Sequence, residues 1–228
     1  SQAAGDTHLL VDVLWERSLL EFAQGKLNKV METCQTARRF AEDYKNRSGR
    51  RLPIMGYIYE RMGAVLLEWN DLEAAEQYAR EGVALCQKWG NADALVNSSF
   101  CLARILLAKG GLDDALNVMQ GISHLVSNLG TWHTLTAQAI EARIRFLQRD
   151  VTAVTRWAEA AGLSSKDKVH LENISLYIIL TRHLIRENKL YEALDLLSRL
   201  LEIAEASGGM GVVVRVLALK ATALQVAG

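Results

Sequence analysis

Three arginines at matched positions are the side chains of this sequence best suited to binding a ligand. Arg104, Arg143 and Arg182 are spaced 39 residues apart, and each lies six residues before a residue that favours a helix end. A guanidinium group binds carboxylate and phosphate groups with two parallel hydrogen bonds and stacks on aromatic rings. These three residues, called the arginine row below, are therefore the first candidates for a binding site.

Aromatic residues recur near the arginine row on the same helical stripe. Trp15 and Phe100 lie four residues before the matched position of their repeats, and Phe146 lies three residues after it. Arginine beside an aromatic surface suits a carboxylate, a phosphate, a sugar face or an acidic peptide. The same recurrence fits a structural role, in which each arginine stem lies across the next repeat and pairs with a glutamate. Both roles stay open.

Motifs for catalysis, metal binding or nucleotide binding do not occur in the sequence. It lacks G-x-x-x-x-G-K-[ST], H-E-x-x-H and C-x-x-C, and Cys34, Cys86 and Cys101 are far apart. We therefore predict a non-enzymatic chain without cofactor or metal, with its three cysteines reduced and buried.

Charge and composition limit the partners further. The sequence has 26 basic and 26 acidic residues, and because DNA binding usually needs a basic face, we predict no direct contact of this segment with DNA. No apolar run approaches the length that a membrane span needs, and the amino terminus lacks a signal-peptide pattern. We predict a cytoplasmic location.

The helices that position the arginine row can be predicted from a helix-ending residue that recurs along the sequence. In the first five occurrences, the residue two positions after it is apolar, and the residue five positions after it is small or β-branched. This is the pattern of a helix hairpin whose two helices pack closely at the turn. A period near 40 residues indicates a stack of similar units. The turn residues are Gly25, Asn70, Gly110, Arg149, Asn188 and Gly228.

The repeated turn residues predict an all-α chain of about 11 helices. The helical pattern is clearest in residues 59–82, where apolar and small residues are spaced by three and four positions. The predicted helices are 8–24, 28–44, 52–69, 72–89, 92–109, 112–128, 131–148, 151–161, 169–187, 190–207 and 210–227. The predicted repeats of one solenoid over residues 1–228 are 8–51, 52–91, 92–130, 131–168, 169–208 and 209–228, the last being the first helix of a truncated repeat.

In two segments the secondary structure has to be predicted by weighing the local residue preferences against the period of the repeat. Residues 44–51 are polar without helical period, so we expect a longer loop there, with Pro53 in the first turn of the next helix. Residues 212–216 are rich in valine, yet their register fits a first helix, and we expect helix.

The final helix has no partner within this sequence. Leu217, Leu219 and Leu224 are expected to form an uncovered apolar face, because terminal repeats normally carry a polar cap. We interpret the chain as a piece of a longer protein, with a tendency to self-associate through this helix.

The hairpins resemble tetratricopeptide repeats lengthened to about 40 residues. The segment 156–163 (Arg-Trp-Ala-Glu-Ala-Ala-Gly-Leu) and the later segment 190–194 (Leu-Tyr-Glu-Ala-Leu) resemble the repeat region of large bacterial LuxR-type transcriptional activators of the MalT class. The resemblance implies a right-handed superhelix whose first helices line a concave groove. It also implies a sensor that binds an inducer or regulatory protein and controls ATP-dependent self-assembly, with the ATPase and DNA-binding modules outside these residues.

Two other functions remain open from the sequence. The chain could be a general repeat scaffold that docks partner peptides without a link to transcription. A helical enzyme with an unrecognised site is the third hypothesis, and no motif supports it.

Overall fold

The structure is a computed structural model that describes residues 2–150, 152–170 and 173–228. The described residues form helices with no strand among them, which confirms the predicted all-α class. Their bounds are α1 Gln2–Ala23, α2 Leu27–Ser48, α3 Met55–Glu68, α4 Leu72–Trp89, α5 Ala92–Ala108, α6 Leu112–Val126, α7 Thr131–Leu147, α8 Ala153–Ala160, α9 Ile174–Arg186, α10 Leu190–Ala206 and α11 Met210–Ala227.

The predicted turn residues have the backbone conformation that the sequence requires. A residue of positive φ follows each of the helices α1–α11. Three of these residues are not glycine: Asn70 (60°), Arg149 (76°) and Asn188 (57°). At each of the five interior turn residues, the next N–H bonds back to a carbonyl five residues earlier, as in Lys26 to Glu21 and Asp71 to Leu66, both at 2.9 Å. This is the Schellman motif, and it explains why the turns recur at fixed offsets.

The position five residues after each turn is buried, as predicted. Ala75, Ala115 and Ala193 are fully buried there, and Val30 and Val154 occupy the same place in their repeats. The apolar residue two positions after the turn is half-buried in four repeats. In the remaining repeat it is Val151, which lies outside the described residues.

Four predicted boundaries were wrong, one of them the start of α9, which lies at Ile174 rather than at residue 169. Helix α1 begins at Gln2 rather than at residue 8, and α2 continues to Ser48 through the segment predicted as a loop. The extra turn of α2 is closed by Gly49, whose φ is 71° and whose N–H bonds to the Lys45 carbonyl. Pro53 precedes α3 instead of lying in its first turn, and its carbonyl accepts the Gly56 N–H at 2.9 Å. Residues 212–216 are helical, as the period predicted.

The described residues form two compact units. The first comprises those within 1–22 and 26–130, and the second those within 23–25 and 131–228. A single continuous solenoid, its right-handed twist and the exact repeat limits stay predictions.

The first unit contains α1–α6. Helices α3 and α4 approach closely because small residues face each other: a Cβ added to Gly63 would lie 3.1 Å from the Ala75 carbonyl oxygen, and one added to Gly82 would lie 3.0 Å from that of Gly56. Helix α3 also packs on α2 and α5. Ile58 and Val65 are fully buried in the core between these helices.

The second unit contains α7–α11. Helix α10 packs between α9 and α11 and supplies Leu196, Leu197 and Leu200, all fully buried. The first helices α7, α9 and α11 pack as neighbours in that order. Helix α8 has eight residues, Ala153–Ala160, within the predicted helix over residues 151–161, of which residue 151 lies outside the described residues.

Candidate functional site

The structure places the arginine row on the first helices of three hairpins. Within the second unit, Arg143 on α7 and Arg182 on α9 occupy equivalent positions of two helices that pack together. Arg182 is exposed and Arg143 is half-buried. These two arginines are the part of the row that a ligand could contact on one unit.

The first unit carries Arg104 alone. It is exposed on α5, but the matched position on the neighbouring helix α3 is Ala64, which is 5% exposed. The row therefore does not continue along the first helices of this unit.

Phe100 is a core residue rather than a ligand platform. It is 5% exposed on the buried stripe of α5, next to Cys101 and Ala103. Phe100 therefore packs among the core residues of α5, and its prediction as an aromatic surface beside Arg104 was wrong.

Trp15 is half-buried, and its ring face is occupied by another aromatic residue. The Trp15 and Tyr57 rings stack with centroids 4.4 Å apart and planes at 24°. Tyr57 in turn meets Trp89 edge to face at 5.8 Å. These contacts join α1 to α3 and α4, which is a packing role.

Phe146 contacts an arginine that the sequence analysis missed. The guanidinium carbon of Arg186 on α9 lies 4.4 Å from the Phe146 ring centroid. The matched residue of the first repeat, Phe22, has Arg61 of α3 above its ring at 4.9 Å. In each unit, the phenylalanine three residues before a turn residue is therefore in contact with an arginine from the first helix of the next hairpin.

The sequence offered little signal for these two arginines. Arg61 lies nine residues before Asn70, whereas Arg186 lies two residues before Asn188. Because they occupy different register positions, a search for recurrence could not pair them. Arg61 is also largely buried beside Glu60. Its Nη2 lies 3.5 Å from the Glu60 carboxylate.

A buried carboxylate ties the first hairpin together. Glu21 on α1 is 7% exposed and accepts hydrogen bonds from the Thr33 hydroxyl of α2 at 2.8 Å and from Arg17 Nε at 2.7 Å. Both donors satisfy the buried carboxylate, and the Arg17 guanidinium lies beside it as a counter-charge. The hydrogen bonds of Glu21 to Arg17 and Thr33 therefore have a structural role, since the bond to Thr33 holds α1 against α2.

The segment between α8 and α9 is held by one arginine and one tyrosine. Arg199 of α10 donates hydrogen bonds to the carbonyl oxygens of Asp167 (2.8 Å) and Ser165. The Tyr177 hydroxyl donates to Asp167 Oδ2 at 3.0 Å. Burial and the neighbouring Asp167 carboxylate raise the pKa of Tyr177 to about 12, so its hydroxyl stays a donor. Ser165 and Asp167, which follow the 156–163 motif, are thus bound to α9 and α10 of the second unit.

The three cysteines are free and buried, as predicted. Burial raises the pKa of Cys34 and of Cys101 to about 12. A thiolate is the reactive form, so burial and the raised pKa both disfavour reaction of Cys34 and Cys101 in the folded chain. The part of the chain that the structure describes has no cluster of three or more His, Cys, Asp or Glu residues that could hold a metal ion.

Helix α11 exposes two of the three leucines that were predicted to be uncovered, Leu217 and Leu224, whereas Leu219 is half-buried against the core of the second unit. Leu224 is 53% exposed, whereas Leu66, Leu106 and Leu184, four residues before their own turns like Leu224, are 9%, 3% and 6% exposed. Leu217 is 48% exposed on the same helix. Leu224 is therefore far more exposed than the matched leucines of the other repeats.

Helix α11 also corrects the expectation about membrane spans. Met210–Ala227 is long and apolar enough to cross a membrane by length and composition, and it is the one such helix among the described residues. It packs against α9 and α10, as a first helix of a hairpin stack does.

The fold defines the class of the protein: an all-α tetratricopeptide-like helical repeat. A comparison with protein families agrees, because the family described as "MalT-like TPR region" matches residues 1–228. The chain belongs to this family.

Curated relatives are transcriptional regulators. The HTH-type transcriptional regulator MalT of Vibrio campbellii is 26% identical over 195 residues, which cover 83% of this chain and 21% of the relative. The MalT regulators of Vibrio cholerae (25% over 170 residues; 73% and 18%) and Vibrio parahaemolyticus (27% over 157 residues; 68% and 17%) are similar. The chain spans about a fifth of the length of these relatives.

Proposed function

We propose that this chain is the effector-sensing and protein-interaction part of a cytoplasmic LuxR-type transcriptional activator similar to MalT. The observation that carries the proposal is the family match over residues 1–228, combined with relatives that are named as HTH-type transcriptional regulators. A helical repeat of this kind presents stacked helix faces for binding, and its chemistry is recognition rather than catalysis.

The effector or regulatory protein would bind the first-helix face of the second unit. Arg143 and Arg182 supply two guanidinium groups from neighbouring helices, which suits a ligand with carboxylate or phosphate groups or an acidic peptide. Phe146 lies one turn after Arg143 and adds a partly exposed ring, already paired with Arg186. The wider surface proposed for the groove, with Arg104 and Trp15 on the first unit, has no comparable pair of neighbouring arginines.

Regulation would act through self-assembly of the parent protein. A ligand shifts such an equilibrium only if it binds one arrangement more tightly than another. The exposed leucines of α11 provide apolar surface for association, since single-helix faces of this kind are normally covered in a repeat stack. DNA contact would belong to a separate domain, because the charge of this chain is balanced.

The full-length gene tests the link to transcription. We expect a phosphate-binding loop motif encoded before this segment and a helix-turn-helix domain encoded after it. If the gene encodes neither, the proposal fails, and the general scaffold that docks partner peptides becomes the better account of the same fold.

A further inference from the structure

A cavity in the first unit brings together the basic residues that the sequence places around residues 38–51. It has a volume of about 290 Å³ and lies between α2, the α2–α3 connection, the start of α3, and α4. We call it the α2–α4 cavity. It lies on a different set of helices from Arg143 and Arg182, so it is a second candidate site.

The floor of the α2–α4 cavity is apolar. Leu52, Met55 and Leu85 line it and are 6%, 4% and 7% exposed. Tyr59 and Tyr78 form one wall, with ring centroids 5.8 Å apart and planes tilted by 41°. Such a surface would hold an alkyl chain or a flat apolar group.

The rim of the cavity is charged and has a surplus of hydrogen-bond donors. Its basic residues are Arg38, Lys45 and Arg51, against the two acidic residues Glu42 and Glu81. Each acid already has a cationic neighbour: Arg38 Nε lies 3.1 Å from Glu42, and Arg51 Nη1 lies 3.7 Å from Glu81. Each guanidinium has five N–H donors, so both arginines keep donors for a further acceptor.

Arg38 is fixed in place by two elements. Its Nε bonds to Glu42 on its own helix, and its Nη1 donates to the Tyr78 hydroxyl of α4 at 3.1 Å. A guanidinium held by such contacts loses little freedom when it binds an anion. Burial raises the pKa of Tyr59, so its phenol stays neutral and adds a donor rather than a charge.

From this geometry we infer that the α2–α4 cavity binds a small organic anion, with its carboxylate or phosphate at the Arg38, Lys45 and Arg51 rim and its apolar body on the Leu52–Met55 floor. The volume is at the small end for ligand pockets, which limits the ligand to a molecule of metabolite size.

Met55 provides a direct readout, since its side chain lines the floor and the chain has only five methionines. The ε-methyl signals of ¹³C-methyl-methionine-labelled chain would be recorded while hexanoate, its uncharged analogue hexanamide, or hexyl phosphate is added. We expect a saturable shift of the Met55 signal with hexanoate or hexyl phosphate, and binding at least about tenfold weaker with hexanamide, because one charge contact near the surface is worth roughly that factor.

Two matched variants on α4 keep the test independent of folding. Gln77 is exposed and lines the cavity, whereas Gln87 is exposed on the same helix outside it. Gln77→Glu should weaken anion binding about tenfold by like-charge repulsion, and Gln87→Glu should leave it unchanged.

Three results would overturn the inference: no saturable Met55 shift with either anion, equal binding of hexanamide, or equal effects of the two glutamine variants. A Met55 shift that appears only with a peptide bearing a free terminal carboxylate would also overturn it, in favour of a peptide site.

Discussion

The Arg186 guanidinium lies 4.4 Å from the centre of the Phe146 ring and joins α9 to the preceding first helix α7. The arginine that the repeat register placed next to Phe146 was Arg143, one turn earlier on the same helix. The contact between Phe146 and Arg186 therefore stabilises the packing of α7 against α9. Arg143 and Arg182 remain the candidates for binding.

Replacing Arg186 tests the role of this contact. We expect Arg186→Ala to lower the free energy of unfolding by about 0.5–1 kcal/mol, the usual size of an arginine–aromatic contact at a partly exposed site. Chemical denaturation measures the change. Arg145→Ala, an exposed arginine on α7, is the control and should change stability by less than about 0.5 kcal/mol. Equal effects of the two variants would show that the ring contact contributes nothing specific.

The turn residue Arg149 offers a second stability test. Its φ of 76° is unfavourable for a residue with a Cβ atom, so Arg149→Gly should stabilise the chain by about 1 kcal/mol. Gly110→Ala is the reverse experiment: no atom lies within 4 Å of the added Cβ, so its cost, again about 1 kcal/mol, comes from the φ of 83° alone. Thermal or urea unfolding of both variants should give changes of opposite sign, and changes of the same sign would contradict the role of these turns.

His183 predicts a dependence of stability on pH. It is 6% exposed, and its Nε2 lies 2.8 Å from the Thr155 hydroxyl oxygen. Burial, together with the positive charges of Lys189 and Arg186, lowers the pKa of His183, although Glu187 opposes the shift. The unfolded chain, with a histidine pKa of about 6.5, then binds more protons than the folded chain. Stability should therefore be full above about pH 6.5 and fall as the pH is lowered through the folded pKa.

The measurement is urea unfolding from pH 7.5 to pH 5. His183→Gln should remove part of the pH dependence, whereas His124→Gln, on the exposed side of α6, should keep it. A wild-type stability that rises on acidification, or identical profiles for wild type and His183→Gln, would show that His183 is not the responsible group.

The cysteines should resist modification in the folded chain. Burial raises the pKa of Cys34 and Cys101 to about 12, which leaves little thiolate at pH 8 and encloses the sulfur atoms. Reaction with Ellman's reagent at pH 8 should be slow in buffer and fast for all three thiols in urea. Fast reaction of either residue without denaturant would place it at the surface, contrary to the structure.

Helix α11 should mediate self-association. Leu224→Glu places a charge on its exposed face and should lower the association measured by sedimentation velocity, with no loss of helix content by circular dichroism. Leu9→Glu is the matched control, because Leu9 is 62% exposed on α1. If both variants associate as wild type does, the α11 face has no part in assembly.

The local features of the fold could be predicted because they depend on residues near in sequence. The φ of Asn70 and Asn188 and the burial of Ala75 and Ala193 follow from turn geometry and helical period. The course of α2 to Ser48 was missed since its last turn is polar and lacks an apolar stripe. Gly49, which terminates that helix, gave a signal that the sequence analysis did not use.

The site was harder to predict because side-chain contacts join helices that are distant in sequence. Register alone placed Phe100 on the same stripe as Arg104, but the packing of α5 against its neighbours buries the ring. The α2–α4 cavity combines Arg38, Arg51 and Tyr78 from three segments, and no repeated position connects them. Sequence could nominate these residues by type, and the three-dimensional packing was needed to group them.

The central claim, that Arg143 and Arg182 bind the effector, is tested most directly by one affinity measurement. A thermal-shift screen of the chain against sugars, acidic metabolites, phosphates and acidic peptides would identify a stabilising compound by binding linkage. Calorimetry would then compare its affinity for wild type, the double variant Arg143→Ala/Arg182→Ala, and the control Arg145→Ala. The account predicts affinity at least about tenfold weaker in the double variant alone, with its melting temperature nearly unchanged. Unchanged affinity together with a large loss of melting temperature would contradict it and show that the arginine row is structural.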